Sequence, residues 1–363
     1  MIGKPIKVGI IGVHPDKGWA TTAHIPALKG LSDFRLTAIS HNNLDIATAA
    51  AGKFGVPYAM GTAEELVASP DVDLVVIAVK VTRHNDLVTK AIAAGKAVLS
   101  EWPLGINISD AVAMRDFARS KGVATTIGLQ TRAAPPFAYA RDLIRDGYLG
   151  EVLSATQIGS GIVWGEAMST SFAYTLDRAA GAAMLNVPFA HSIDALLYAL
   201  DSRFEAVTGT LVTRRQTIRL EETGAELPMT VPDQVMVSGH LANGVAVAAH
   251  FRGGLSRGTN FHVEINGTKG DLIITSPVGY VGLGGFKLMG ASGGGPLEEL
   301  GVPPNFKAER FGEGPQQILA IAYERLASDF LQGTQLRPTF DDAVTLHRLI
   351  DTIEHSEGSS CRI

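Results

Sequence analysis

Two side chains in this sequence combine a proton-moving type with a position that could face a cleft. His191 lies in the largely apolar run Gly181-Ala182-Ala183-Met184-Leu185-Asn186-Val187-Pro188-Phe189-Ala190-His191-Ser192-Ile193-Asp194. An imidazole there is either a general base for a substrate hydroxyl or a histidine satisfied inside a core. Lys80 ends the most apolar run of the chain, Val72-Asp73-Leu74-Val75-Val76-Ile77-Ala78-Val79. Most lysines at strand ends are solvated, whereas one desolvated in a cleft has a lowered pKa. Trp102, Trp164 and Tyr174 are aromatics that could wall a sugar-sized pocket or simply pack, and Arg132 is placed with them as a substrate contact. The ten histidines are dispersed, with no H-x-x-x-H or carboxylate-paired spacing, so no metal centre is expected.

Alternating elements must position these groups. Strand patterns at 6–12, 34–40, 72–79, 97–100 and 123–128 alternate with helical patterns at 44–54, 63–68, 85–94 and 109–120. That rhythm predicts an α/β fold whose N-terminal part, residues 1–130, is a doubly wound parallel sheet, a Rossmann domain. From about Thr131 the rhythm changes. Strands at 152–158, 206–212, 234–241, 245–251, 261–265 and 271–274 predict a C-terminal α+β domain, residues 131–363, with a large open, mainly antiparallel sheet. Hairpins are expected around Asn243-Gly244 and 267–270. The glycine-rich stretch 282–295 reads as a mobile loop, and 316–331 and 341–355 as closing helices.

In a doubly wound sheet the ligand crevice lies beyond the carboxyl ends of the strands. The first such end reads Gly9-x-x-Gly12, then Val13-His14-Pro15-Asp16-Lys17-Gly18-Trp19. This is longer than G-x-G-x-x-G, but glycine at 12 and 18 suits backbone passing close to a pyrophosphate. The expected cofactor contacts are Gly12, Val13, Lys17, Gly18 and Trp19 from this loop, and Ser40, His41 and Asn42 after the second strand. Ala78, Val79, Lys80 and His84, then Glu101 and Trp102, then Gln130 complete the set. No carboxylate follows the second strand to bind ribose hydroxyls, and no arginine stands there to demand a 2′-phosphate, so the cofactor is NAD or NADP.

Several segments occur together in order: Gly9-Ile10-Ile11-Gly12, His24-Ile25-Pro26-Ala27-Leu28, Asp73-Leu74-Val75-Val76-Ile77-Ala78, His84, Gly95-Lys96, Glu101-x-Pro103 and Gly147-Tyr148-Leu149-Gly150-Glu151-Val152. In this combination the chain resembles the glucose–fructose oxidoreductase / inositol dehydrogenase (Gfo/Idh/MocA) family over nearly its whole length. Lys17-Gly18-Trp19, Val79-Lys80-Val81, Glu101-Trp102 and Asn266-Gly267-Thr268-Lys269-Gly270-Asp271-Leu272 are similar to the branch containing the fungal galactose-regulon repressor and its bacterial relatives. The resemblance implies a catalytic lysine where this chain has Trp102, and an aspartate four residues before the histidine matched by His191. Val187 fills that aspartate position. Asn186 is about 100° off register on an α-helix. The resemblance also implies that the open sheet face is the subunit contact, giving a homodimer or higher homo-oligomer.

The 363 residues exceed what one core usually supports. Apolar content of 46% and a formal net charge of −5, without charge runs, describe a soluble globular protein with no nucleic-acid or membrane partner. The lone cysteine, Cys361, excludes an internal disulfide framework and suits a cytoplasmic protein, as does an N-terminus without a signal-peptide pattern. The expected function is an NAD(P)-dependent oxidoreductase acting on a sugar-like molecule, with His191 and Lys80 handling protons and Trp102 in the lysine slot. The alternatives are a non-catalytic NAD(P)-binding regulator, or a lyase or glycosidase using transient oxidation.

Overall fold

The computed structural model describes residues 4–280, 283–356, 358–359 and 361–363. They form two compact units, Met1–Gln130 with Ala308–Thr345, and Thr131–Lys307 with Leu346–Ile363.

The first unit holds six strands, β1 (Ile6–Ile11), β2 (Phe34–Ser40), β3 (Tyr58–Met60), β4 (Leu74–Ile77), β5 (Ala97–Glu101) and β6 (Thr125–Gly128), in the order β3-β2-β1-β4-β5-β6. All five pairings are parallel. Such strands are covered on both faces, which is why β4 reads Leu-Val-Val-Ile with every residue buried. The connecting helices are α1 (Ile25–Lys29), α2 (Leu44–Phe54), α3 (Ala63–Ala68), α4 (His84–Ala93) and α5 (Ile108–Lys121). Local sequence sets their ends. Asn43, Thr62 and Asn107 cap α2, α3 and α5 by accepting backbone N–H bonds, and α2 and α5 stop at left-handed Gly55 and Gly122. The first connection is not one plain helix: a π-helical turn, Ala20–His24, leads into α1.

The second unit contains α6 (Pro135–Arg145), β7 (Val152–Ser160), β8 (Ala167–Met168), α7 (Ala190–Ala199), β9 (Phe204–Val212), β10 (Thr217–Leu220), β11 (Glu226–Pro228), β12 (Gln234–Leu241), β13 (Ala246–Arg252), β14 (Phe261–Gly267), β15 (Gly270–Ser276), β16 (Lys287–Ser292), β17 (Glu298–Glu299) and β18 (Cys361–Arg362). Nine of these make one sheet, ordered β17-β16-β15-β14-β7-β13-β12-β9-β18. Its pairings are antiparallel except β13 with β7, which is parallel. Alternation along β12 and β13 buries Val235, Val237, Val247, Ala249 and Phe251 on one face. The expected hairpins join β12 to β13, with Gly244 at φ 88, and β14 to β15.

Three expectations are corrected. A small sheet, β11-β10-β8, was not anticipated, because its strands are only two to four residues long. The stretch 282–295 is not simply a loop: Lys287–Ser292 is β16, paired with β15, while Gly282 lies outside the described residues. Gly290 is a glycine for space, since a Cβ there would stand 2.6 Å from Leu300 Cδ1 and 3.0 Å from Leu272 Cδ2.

The third correction concerns the C-terminal helices α8 (Pro315–Gln332) and α9 (Phe340–His355). Residues 131–363 were expected to form one domain, but Ala308–Thr345 groups with Met1–Gln130. Packing explains the return. Tyr323 of α8 is 1% exposed, edge-on to Phe34 at 5.2 Å, with its hydroxyl 2.7 Å from His24 Nδ1. The Phe311 ring fills the space a side chain at residue 30 would need, and the Pro338 carbonyl accepts from Ile127 N (3.0 Å) and Thr126 Oγ1 (2.9 Å) at β6.

His347 on α9 is 4% exposed, and burial drives its pKa down to about 3. Its folded pKa is depressed, so the stability it supports is present above the unfolded value near 6.5 and is lost as pH falls toward 3. Urea midpoints measured from pH 7 to pH 4 should therefore fall less steeply for His347→Leu than for the native chain.

Candidate functional site

β1, β2 and β4 end at one edge of the parallel sheet, where the strand order switches direction. A cleft of about 610 Å³ opens there, and it brings together Gly12, Ser40, His41, Asn42, Ala78, Val79 and Lys80 of the expected cofactor residues. Thr62, Glu64, Arg83 and Lys90 also line it; they stand on or beside α3 and α4, away from strand-end positions that sequence reasoning searches. Gly12 is required by the backbone. Its φ is 94, and a Cβ would collide with Val79 Cγ1 and lie 3.1 Å from the Ala78 carbonyl oxygen.

The loop after β1 is tied down by backbone bonds from Gly12 N (2.9 Å) and Val13 N (3.1 Å) to the Ser40 carbonyl. Val13 is fully buried; Lys17 and Gly18 are exposed, Gly18 with φ 95. The Trp19 indole nitrogen, Ser40 Oγ and Gln130 Oε1 are buried without hydrogen-bond partners in the protein. Buried polar atoms are normally satisfied, so these orphans near the strand ends fit a site completed by a polar ligand. The residues present thus suit a dinucleotide.

Beyond β5, Glu101 is followed by Trp102, 5% exposed, and a cis peptide to Pro103. Glu101 Oε1 lies 3.2 Å from His24 Nε2, and His24 in turn meets the Tyr323 hydroxyl. Burial and the Glu101 charge push the Tyr323 phenol far up, and burial lowers the Arg337 guanidinium to about 10. Sequence reasoning quoted His24 only as part of a motif and missed Tyr323 and Arg337 altogether. His84 was expected to touch the cofactor, but it is 1% exposed, with Nδ1 2.8 Å from the Pro103 carbonyl and Nε2 3.0 Å from that of Val79. Both ring nitrogens thus meet main-chain carbonyls, which braces the cleft wall against the Trp102-Pro103 turn, and burial lowers the ring's pKa.

In the second unit, His191 sits in the first turn of α7, 6% exposed. Thr131 Oγ1 donates to its carbonyl (3.1 Å), and Gln157 Nε2 donates to that of Ser192 (3.0 Å). Arg132 grips Asp194 with two nitrogens, Nε at 2.9 Å and Nη2 at 2.6 Å, which commits this side of the guanidinium to bracing α7. The segment Leu185–Phe189 before α7 is π-helical, with Phe189 N bonded to Met184 O at 3.1 Å. The spacing argument that set Asn186 aside assumed an α-helical turn, and that premise fails here. Asn186 and Val187 are both half-buried. Trp164 is 4% exposed with its indole nitrogen buried and unpartnered, two residues after Ile162 at φ 61, a conformation rare for a β-branched residue. Tyr174 lies in the 3-10 helix Thr170–Leu176, half-buried, its phenol pKa raised by burial. Lys80 belongs to the first unit and His191 to the second.

Comparison with known proteins matches this layout. Residues 6–129 fit the oxidoreductase family with an NAD-binding Rossmann fold, GFO_IDH_MocA, and residues 135–276 fit the Gal80p C-terminal domain. The galactose/lactose metabolism regulatory protein GAL80 of Saccharomyces cerevisiae is 32% identical over 295 residues, covering 76% of this chain and 68% of that protein. The chain belongs to the Gfo/Idh/MocA family, in its Gal80-like branch. Another relative in this family, levoglucosan dehydrogenase of Pseudarthrobacter phenanthrenivorans, is 26% identical over 385 residues, 97% of this chain and 96% of the enzyme. A crystal structure of a super-repressor mutant of Gal80p from Saccharomyces cerevisiae matches with a TM-score of 0.90 and 27% identity over 99% of this chain and 97% of that one. As a Gfo/Idh/MocA protein the chain carries the NAD-binding Rossmann domain of the family.

Gly12→Ala should weaken dinucleotide binding by about 10-fold or more and cost about 1–3 kcal/mol of stability, since the side chain enters both a forbidden φ and an occupied space; calorimetric titration and urea unfolding measure the two. Tyr323→Phe, which leaves buried His24 without its hydroxyl partner, should cost about 1–3 kcal/mol in urea unfolding.

Proposed function

We propose that this protein is an NAD(P)-dependent oxidoreductase acting on a sugar, polyol or related hydroxylated small molecule. The observation that carries the reading is His191, a nearly buried imidazole at the start of a helix braced by the Arg132–Asp194 and Gln157–Ser192 contacts. Such bracing fixes a general base in one geometry, and fixed geometry is what proton transfer in a transition state requires. The cleft residues Gly12, Ser40, His41, Ala78 and Val79 would hold NAD or NADP, whose nicotinamide supplies the redox chemistry when bound. His191 would take the proton from the substrate hydroxyl, and Lys80 would share the proton handling. Trp102 contributes a flat apolar wall in place of a lysine and moves no proton. Levoglucosan dehydrogenase, a relative over nearly the whole chain, supports the sugar-like substrate class.

A second reading is a non-catalytic, NAD(P)-responsive regulator. The likeness to GAL80, a regulatory protein, favours it, as does Trp102 at the lysine position. We place the protein in the cytoplasm as a homodimer, joined through the face of the nine-stranded sheet that presents Thr156, Met236 and Ala248. No helix among the described residues is long and apolar enough to cross a membrane.

Steady-state assays over a panel of sugars and polyols with both cofactors separate the readings. His191→Ala should lower turnover by about 100-fold or more, the scale for losing a positioned base. Lys80→Met should lower it too, with a smaller effect on cofactor affinity. Cofactor binding without turnover across the panel would favour the regulator. Light scattering at micromolar concentration should give a dimer mass.

A further inference from the structure

Two histidines, one past the end of β1 and one past the end of β2, take no part in the proposed proton transfer. Resting on the dinucleotide reading above, we propose that His14 and His41 form a cradle for the 2′-phosphate of NADP(H), making this the dinucleotide the cleft prefers. His41 lines the cleft directly after β2, and His14 comes from the loop after β1. Their rings stand edge-to-face, with centroids 6.3 Å apart and an interplanar angle of 74°.

Backbone contacts fix what each ring can offer. His41 Nδ1 accepts from Asn43 N at 3.1 Å, and His14 Nδ1 accepts from Asp16 N at 3.1 Å. In each neutral ring the proton must then sit on Nε2, leaving a donor and no acceptor on that side. Burial, the largest cause, together with the Lys17 charge holds the His41 pKa below its usual range, which favours that neutral donor form. The backbone that carries each ring is held in place: Thr21 Oγ1 donates to the His14 carbonyl, and His41 N donates to the Met60 carbonyl at 3.2 Å.

The charges around the pair suit a dianion. No carboxylate occupies positions 40–43 to receive ribose hydroxyls. Two nearby acids are already answered, Asp16 by Lys53 at 2.8 Å and Glu64 by Lys90 at 2.6 Å. The exposed Lys17 adds positive charge felt at His41. Ser40, whose buried hydroxyl has no protein partner, stands in the same wall. Two N–H donors are better matched by phosphate oxygens than by hydroxyls that must themselves donate, and bonds to a charged acceptor are about twice as strong as neutral ones.

The test is calorimetric titration of the full chain with 2′,5′-ADP and 5′-ADP, then with NADP and NAD. The native protein should bind 2′,5′-ADP tighter than 5′-ADP by about 10-fold or more, the scale of one or two charge-assisted bonds. His14→Ala and His41→Ala should each collapse that ratio toward one, with unchanged circular dichroism and thermal midpoint confirming the fold. His41→Asp, which supplies a carboxylate for the ribose hydroxyls, should turn the preference toward NAD. Equal binding of the two ADP probes, or histidine variants that weaken both probes alike, overturns the cradle and leaves the dinucleotide reading standing. If none of the four ligands binds at millimolar concentration, the dinucleotide reading fails and takes the cradle with it.

Discussion

A carboxylate nearly shut away from water at the end of β5 must be answered by other protein groups, and much of the first unit is arranged to do so. Glu101 faces His24 across 3.2 Å, His24 is held by the Tyr323 hydroxyl, and Arg337 adds positive charge from the segment after α8. A buried charge left without such partners costs several kcal/mol, whereas an answered one is tolerated and fixes geometry. The groups come from the first βα connection, from β5 and from the C-terminal helix region. The network therefore locks three distant stretches of chain around one strand end.

That strand end leads into the buried Trp102. The turn after β5 is braced from behind by His84, whose ring nitrogens meet the Pro103 and Val79 carbonyls. The other titratable groups are divided between the units: Lys80 and the histidine pair beside the cleft in one, His191 on its braced helix in the other.

The fold was readable because its strands are uniform in kind. A fully buried run such as Leu74–Ile77 and a capped helix such as Asn43 to Gly55 announce themselves locally. The return of α8 did not, since the bond between His24 and Tyr323 spans 299 positions and nothing local marks either partner. β16 was hidden by its setting in a glycine-rich stretch, where Gly290 serves close packing rather than mobility. At the site, residues at strand ends could be named in advance because topology alone puts them at the cleft. Thr62, Arg83 and Lys90 could not, because their place depends on how α3 and α4 are set. The π-helical turn at Leu185–Phe189 is likewise invisible to an argument that counts at 3.6 residues per turn.

The return of Ala308–Thr345 to the first unit also bears on how the protein is made. A ribosome releases the chain from its N-terminus, so the six parallel strands emerge long before Tyr323 does. Until then His24 lacks the Tyr323 hydroxyl, Glu101 lacks the Arg337 charge, and the Pro338 carbonyl is absent from the β6 edge. The nucleotide-binding half, though encoded first, cannot be finished first. Its completion waits for residues 308–345, which couples the final packing of the first unit to the synthesis of the second-unit strands that precede them and makes a nascent fragment cut at residue 130 an incomplete object.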